Sequence, residues 1–229
     1  MKSIVIEFEK RVSEVELYHD FISTVIDKKP LLNFGKEALN EKIDKDIYPI
    51  LKANMFLLLY NLVESSFKEA LHHLSEQINN SNLKYKDSIP EVRKLWIECE
   101  KRYFEKNPNN VKKLEYFYSI IENIKEENLS VPSSLKGANM SGNLDSKKVK
   151  DCMKRYGITL NTEKGKKLVI VKNKRNNLAH GNVSFRECGR DLVTSELKEI
   201  KKDVIDFMRT VIALFQEKCK AKYFYKNSM

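Results

Sequence analysis

Turn-forming residues are scarce in this chain: glycine supplies 7 and proline 5 of its 229 residues. With 32% charged residues, that scarcity favours long helices joined by short loops over an architecture of many tight turns. Long apolar runs are missing too. No window approaches the ~18 consecutive apolar residues of a membrane span. The N-terminal Ile4-Val5-Ile6 is cut short by Glu7 and is too brief for a signal peptide. The expected setting is therefore cytoplasmic, with no membrane partner. Cysteine is sparse and scattered, since Cys99, Cys152, Cys188 and Cys219 form no close pair. The histidines are His19, the adjacent His72 and His73, and His180. Nothing here has the spacing of zinc ligands, so free thiols are expected, with no metal and no cofactor.

What is present in quantity is apolar side chain and positive charge. A hydrophobic content of 41% is enough for a proper core. The length fits one large domain or two small ones; no clear linker divides the chain, and residues 1–229 are read as one domain. The net charge of +10 points to nucleic acid or another polyanion as partner ahead of acidic proteins. The competing reading is that the lysines reflect only the base composition of the host genome.

Apolar residues spaced by three and four (Val5, Phe8, Val12, Val15, Leu17, Tyr18, Phe21, Ile22, Val25, Ile26) predict an amphipathic helix over 4–27, ended before Lys28-Lys29-Pro30. A loop with Asn33 and Gly35 follows. The longest helical signal runs over 44–77. Its centre, Ala53 to Glu64 (ANMFLLLYNLVE), is apolar on nearly all sides and predicts a buried central helix. Asn54, Asn61 and Glu64 share one stripe of it. Buried polar groups need partners, so the stripe either ties the core together, the preferred reading, or looks into a site.

Pro90 opens a helix to about Lys106, broken by Asn107-Pro108-Asn109-Asn110. Another helix covers 111–128, with Leu114, Phe117, Tyr118 and Ile121 on one face. Residues 129–143 are the one Ser/Gly/Pro/Asn-rich stretch, a long loop. A short helix over 144–156 stops at Gly157, a left-handed cap, and 158–160 reads as a brief extended piece. A basic helix spans 164–180, with Leu168, Val169, Val171 and Leu178 on its apolar side, and ends at Gly181. Residues 184–193 read as a turn, Thr194 as the N-cap of the last helix, and 216–229 as a basic tail. The fold class is all-α: a helical bundle with a long central helix and a long loop around 129–143.

Residues 175–181 read Arg-Asn-Asn-Leu-Ala-His-Gly. A cation, a carboxamide and a titratable imidazole thus fall within one and a half turns. Lys164, Lys166, Lys167, Lys172 and Lys174 precede them, with only Glu163 as a nearby acid. A histidine that moves protons, beside an arginine that holds an oxyanion, on a positive surface, points to phosphodiester chemistry on a polyanion. At about 100° per residue Asn176 and His180 share a face, whereas Arg175 projects about 140° from His180. One such helix is a poor complete site. Two of them, antiparallel around a twofold axis, would bring two Arg and two His into one cleft. The bland alternative is that His180 caps a helix end and Arg175 belongs to a solvated basic face.

The run Asn173 to Gly181 resembles the signature of HEPN domains, an all-helical superfamily marked by Arg, a polar residue, and His four to six positions after the Arg. Ala53–Glu64, Ser141–Asp145 (SGNLD), Arg155-Tyr156-Gly157 and Ser184–Arg190 (SFRECGR) are similar, in the same order, to segments of its MAE-type family. The likeness spans about 45–215 and covers the first 40 residues less well. It implies a helical bundle, paired as a homodimer with the Arg–His motifs facing one another. It also implies a metal-independent endoribonuclease of toxin–antitoxin, phage-defence or RNA-processing systems. On the matching positions, His180 is the expected general base or acid, Arg175 the phosphate holder, and Asn176 the group that orients the imidazole or the phosphate. Lys167, Lys172 and Lys174 are candidate RNA contacts, with Asn61 and Glu64 as supporting residues. Expected partners are RNA, a second copy of the chain, and an antitoxin or defence-complex protein. The alternative is a non-catalytic RNA-binding or dimer-forming HEPN subunit of a larger defence complex; a third reading is a protein-binding helical scaffold to which the charge contributes only solubility. One departure stands out: HEPN toxins paired with nucleotidyltransferase antitoxins carry a tyrosine two positions after the histidine, and here that position is Asn182.

Overall fold

The computed structural model describes residues 2–32, 41–106, 110–124, 128–129, 131 and 143–226. The loop around Asn33 and Gly35, the break at 107–109 and most of the 129–143 loop lie outside the described residues. Eight helices order the rest: α1 (Lys2–Lys28), α2 (Ile47–Asn79), α3 (Pro90–Lys106), α4 (Asn110–Asn123), α5 (Ser146–Arg155), α6 (Leu168–Ala179), α7 (Phe185–Gly189) and α8 (Thr194–Lys220). A two-residue antiparallel ladder, Leu31–Leu32 against Glu41–Lys42, joins α1 to α2. No described helix is long and apolar enough to cross a membrane.

The central helix is α2, as its composition predicts. Met55, Phe56, Leu59, Tyr60, Val63, Phe67 and Leu74 are buried along it, and α1, α6, α7 and α8 pack around it. In α1 the inward stripe is Ile4, Phe8, Val12, Val15, His19, Ile22 and Val25. Leu17 and Phe21, expected in that stripe, are 74% and 53% exposed; the helical period hands the inward position between them to His19. The face of α4 bearing Leu114, Phe117, Tyr118 and Ile121 also points outward, while Ile120 and Ile124 touch the core.

Several boundaries differ from the sequence reading for identifiable reasons. The 184–193 segment holds the short helix α7, opened by a capping box in which the Ser184 side chain and the Glu187 backbone and carboxylate bond reciprocally. α7 lies directly on the first turn of α2. A Cβ on Gly189 would sit 1.9 Å from the Pro49 carbonyl oxygen, so only glycine admits the contact. Thr194 is the first residue of α8 rather than its cap, a position taken by Val193 without a side-chain bond. Residues 158–160 form no strand. Gly157 does adopt the left-handed conformation expected of it, at φ +78°.

The basic tail is not a solvated one over its described part. Phe224 is buried and its carbonyl accepts the Ile89 N–H at 3.0 Å. The Tyr223 hydroxyl donates to the Tyr156 carbonyl at 2.7 Å, and the Tyr225 hydroxyl donates to the Ser81 carbonyl at 2.8 Å. Aromatic residues between the lysines thus strap the end of α8 across the start of α3. None of the four cysteines is in a disulfide.

Candidate functional site

The helix that carries the Arg–His motif begins at Leu168, four residues later than the basic run. Residues 164–167 are held as a turn by α8, whose Asp203 carboxylate accepts the N–H groups of Gly165 at 2.9 Å and Lys167 at 2.8 Å. Leu168, Val171 and Leu178 then face the core. Val169, expected on the apolar side, points out with Ile170, because 3.6 residues per turn places it opposite Val171 and Leu178.

At the far end, the C-cap is His180 itself, yet its side chain does no capping. The Gly181 N–H donates to the Leu178 carbonyl at 3.2 Å and the Asn182 N–H to that of Asn177 at 2.9 Å, with Gly181 at φ +70°. This backbone pattern closes a helix through a left-handed glycine. The imidazole of His180 is exposed and bonds to no other described residue. Arg175 has a different environment. Its guanidinium carbon lies 4.7 Å from the centre of the Tyr60 ring, and its Nη1 donates to the Asn176 Oδ1 at 3.0 Å. The carboxamide that was expected to orient the imidazole or a phosphate thus holds the guanidinium. Arg175 faces α2 while His180 faces away, the divergence that the helical period dictates.

Tyr60 is itself fixed. Its hydroxyl accepts the Leu144 N–H at 3.0 Å, and burial raises its pKa above the ordinary phenol value. The next residue, Asp145, caps α5 by accepting the Lys148 N–H and pairs with the Lys172 ammonium at 2.8 Å. Burial alone would raise the Asp145 carboxyl, but the bonds from Lys172 and Lys148 outweigh it and hold the pKa below its usual value. Leu144-Asp145 therefore ties α2, α5 and α6 together behind the motif.

These ties change the expected set of RNA contacts. Lys172 is spent on Asp145, both side chains being only 17% exposed. The Lys167 ammonium pairs with Glu199 at 2.6 Å, and Lys166 with Glu163 at 2.9 Å. Only Lys174 of the three candidates has no hydrogen bond or ion pair to another described residue. It lies near Cys188, where burial raises the thiol pKa and the Lys174 charge offsets part of the rise.

The polar stripe of α2 divides. Asn54 donates back to its own helix at the Ile50 carbonyl, 3.0 Å away. Asn61 and Glu64 instead line a cleft of about 370 Å³ together with Leu57, Tyr60, Arg175, Leu178, Ala179 and Phe185. The Glu64 carboxylate also pairs with Lys68 at 2.6 Å. Tyr60 and Phe185 went unnoticed as site residues, although Tyr60 and Glu64 lie one turn apart in α2. Among the described residues no group of three or more His, Cys, Asp or Glu side chains is placed to hold a metal ion.

An all-helical bundle that displays an Arg–polar–His motif at the end of an inner helix defines a HEPN-like protein. A family model described as MAE_28990-like HEPN matches residues 2–224. The chain belongs to that HEPN family, and the match takes in α1 and the C-terminal Tyr223 and Phe224 as well as the Arg–His motif. No curated protein and no solved structure matches it.

Proposed function

We propose that this HEPN protein is a metal-independent endoribonuclease of a toxin–antitoxin or phage-defence system, working as a homodimer. The observation that carries the proposal is the state of His180. Capping is supplied by the backbone, so the helix has no need of the imidazole, which stands exposed and unbonded among the described residues. The outer face of α6 presents Val169 and Ile170 near one end and Asn173, Asn177 and His180 along the rest. An apolar patch on the histidine-bearing face favours pairing of two such helices about a twofold axis.

In the paired site, one His180 takes the proton from a ribose 2′-hydroxyl as its oxygen attacks the phosphorus. His180 of the partner subunit gives a proton to the leaving 5′-oxygen, and the product ends in a 2′,3′-cyclic phosphate. Arg175 stabilises the charge of the phosphorane, and Asn176 keeps the guanidinium in place. Lys174 contacts the RNA backbone. Incubation of the purified protein with total RNA and tRNA in excess EDTA tests this reading: cleavage with 2′,3′-cyclic phosphate ends is expected. Activity that is abolished by EDTA and restored by magnesium contradicts it.

A second reading has a specific observation in its favour. With Lys166, Lys167 and Lys172 already paired, the positive surface around the motif is smaller than the sequence implies. A non-catalytic HEPN subunit of a larger complex would bind RNA weakly, or only with its partners, and His180→Ala would change nothing measurable.

A further inference from the structure

We propose that the cleft between α2 and the motif helix is a base subsite selective for guanine. The subsite presupposes an RNA substrate, the reading given above. Its walls are apolar, formed by Leu57 of α2, Leu178 and Ala179 of α6, and Phe185 of α7. Its polar groups are few: Asn61, which is exposed, and Glu64, one turn apart on α2, and Arg175 of α6. Apolar walls with a short polar edge suit a planar heterocycle, whose faces pack against side chains while its rim needs hydrogen bonds. A bare phosphate or a sugar has no use for Leu57, Leu178 and Phe185.

The choice of base follows from hydrogen-bond polarity. A carboxylate only accepts. Guanine alone among the four RNA bases offers two adjacent donors on its pairing edge, N1–H and the 2-amino group. Adenine and cytosine each set one amino group beside an acceptor nitrogen, and uracil sets one N–H between two carbonyls. The Asn61 carboxamide, next to the carboxylate, supplies the donor that the guanine O6 requires. Lys68 engages Oε1 of Glu64, which leaves that oxygen a second lone pair and leaves Oε2 open.

Charge argues the same way. A carboxylate close to the arginine that takes a phosphate lowers affinity for every RNA unless the ligand brings donors to it. Guanine does so. The other bases desolvate Glu64 and bring no donor to its Oε2, which is discrimination by penalty. Arg175, against Tyr60 at the same cleft, holds the adjoining phosphate, so base and phosphate of one nucleotide are held together.

The test is equilibrium binding of wild-type protein to the tetranucleotides UUGU, UUAU, UUCU, UUUU and an inosine version, UUIU. All carry 2′-methoxy riboses, which block the attacking group. UUGU should bind roughly tenfold to a hundredfold more tightly than UUAU, UUCU or UUUU. UUIU, which lacks the 2-amino donor, should fall between. Glu64→Gln should level the affinities for UUGU and UUAU. Equal binding of all five overturns the guanine subsite, as does a guanine preference that survives Glu64→Gln, and so does binding of none. The inosine comparison needs no variant and reads the carboxylate contact even if Glu64→Gln folds poorly. Base-blind binding by a protein that still cleaves total RNA removes the subsite alone. Guanine-selective binding without cleavage removes the nuclease reading alone.

Discussion

Replacing Lys172 by alanine separates the structural account from the one the basic run invites. Read as part of a positive surface, Lys172 touches RNA phosphates. In the fold its ammonium lies 2.8 Å from the Asp145 carboxylate, with both side chains 17% exposed. An exposed pair contributes about 0–1 kcal/mol, whereas breaking a fully buried one costs about 3–5 kcal/mol. A pair that retains a little solvent falls between, at about 2 kcal/mol. Asp145 keeps its bond from the Lys148 N–H, which argues against the upper end. For a chain of this length that loss lowers Tm by about 4–8 °C.

The pH dependence has a definite sign. The Asp145 pKa is depressed in the folded state, so the stabilisation is complete above the ordinary aspartate range near 3.9. It is lost as pH falls through the folded pKa. Melting curves of wild type and Lys172→Ala should be separated at pH 7 and should draw together as pH falls below the ordinary aspartate range. RNA affinity, measured where both proteins are fully folded, should be unchanged. Lys174→Ala should do the reverse, melting as wild type but weakening RNA binding and reducing its salt slope by about 0.7–0.9. A Lys172→Ala protein that melts as wild type and binds RNA less tightly refutes the reasoning.

Tyr60→Phe removes the acceptor of the buried Leu144 N–H and should cost about 1–3 kcal/mol in chemical denaturation. Its ring still faces Arg175, so activity should survive at matched folded fraction. Gly189→Ala drives a methyl into the Pro49 carbonyl and should destabilise by at least about 1–3 kcal/mol, read as a lowered Tm and faster proteolysis around α7. A dimer of one wild-type and one His180→Ala subunit keeps only one of the two proton-transfer groups and should cleave far more slowly than half the wild-type rate. A mixed dimer that keeps half of the wild-type rate would contradict a shared site.

The helices were legible where one face is apolar along several turns. The Ala53–Glu64 run could only be the central helix, and the period alone placed Arg175 and His180 about 140° apart. The electrostatics were not legible. Asp145 lies 27 residues from Lys172, Glu199 lies 32 from Lys167, and Asp203 lies 38 and 36 from the Gly165 and Lys167 amides, so local counting left only Glu163 as a neighbour. Period also cannot say which face of a short helix is covered, and Leu114, Phe117, Tyr118 and Ile121 point outward for that reason. The C-terminal lysines masked Tyr223 and Phe224, whose burial depends on α3 being adjacent. Of the site, the motif was readable in sequence. The cleft was not, because Phe185 and Ala179 reach Tyr60 only through the tertiary fold.

The single-turnover RNA cleavage rate of His180→Ala relative to wild type, measured beside its thermal melt, tests the central claim most directly. With the helix end closed by the Gly181 and Asn182 amides, the variant should melt within about 1–2 °C of wild type, a loss well under 1 kcal/mol. Its cleavage should be slower by about a hundredfold to ten-thousandfold. A protein that loses several degrees of stability yet cleaves at the wild-type rate would show that His180 holds the helix and not the proton.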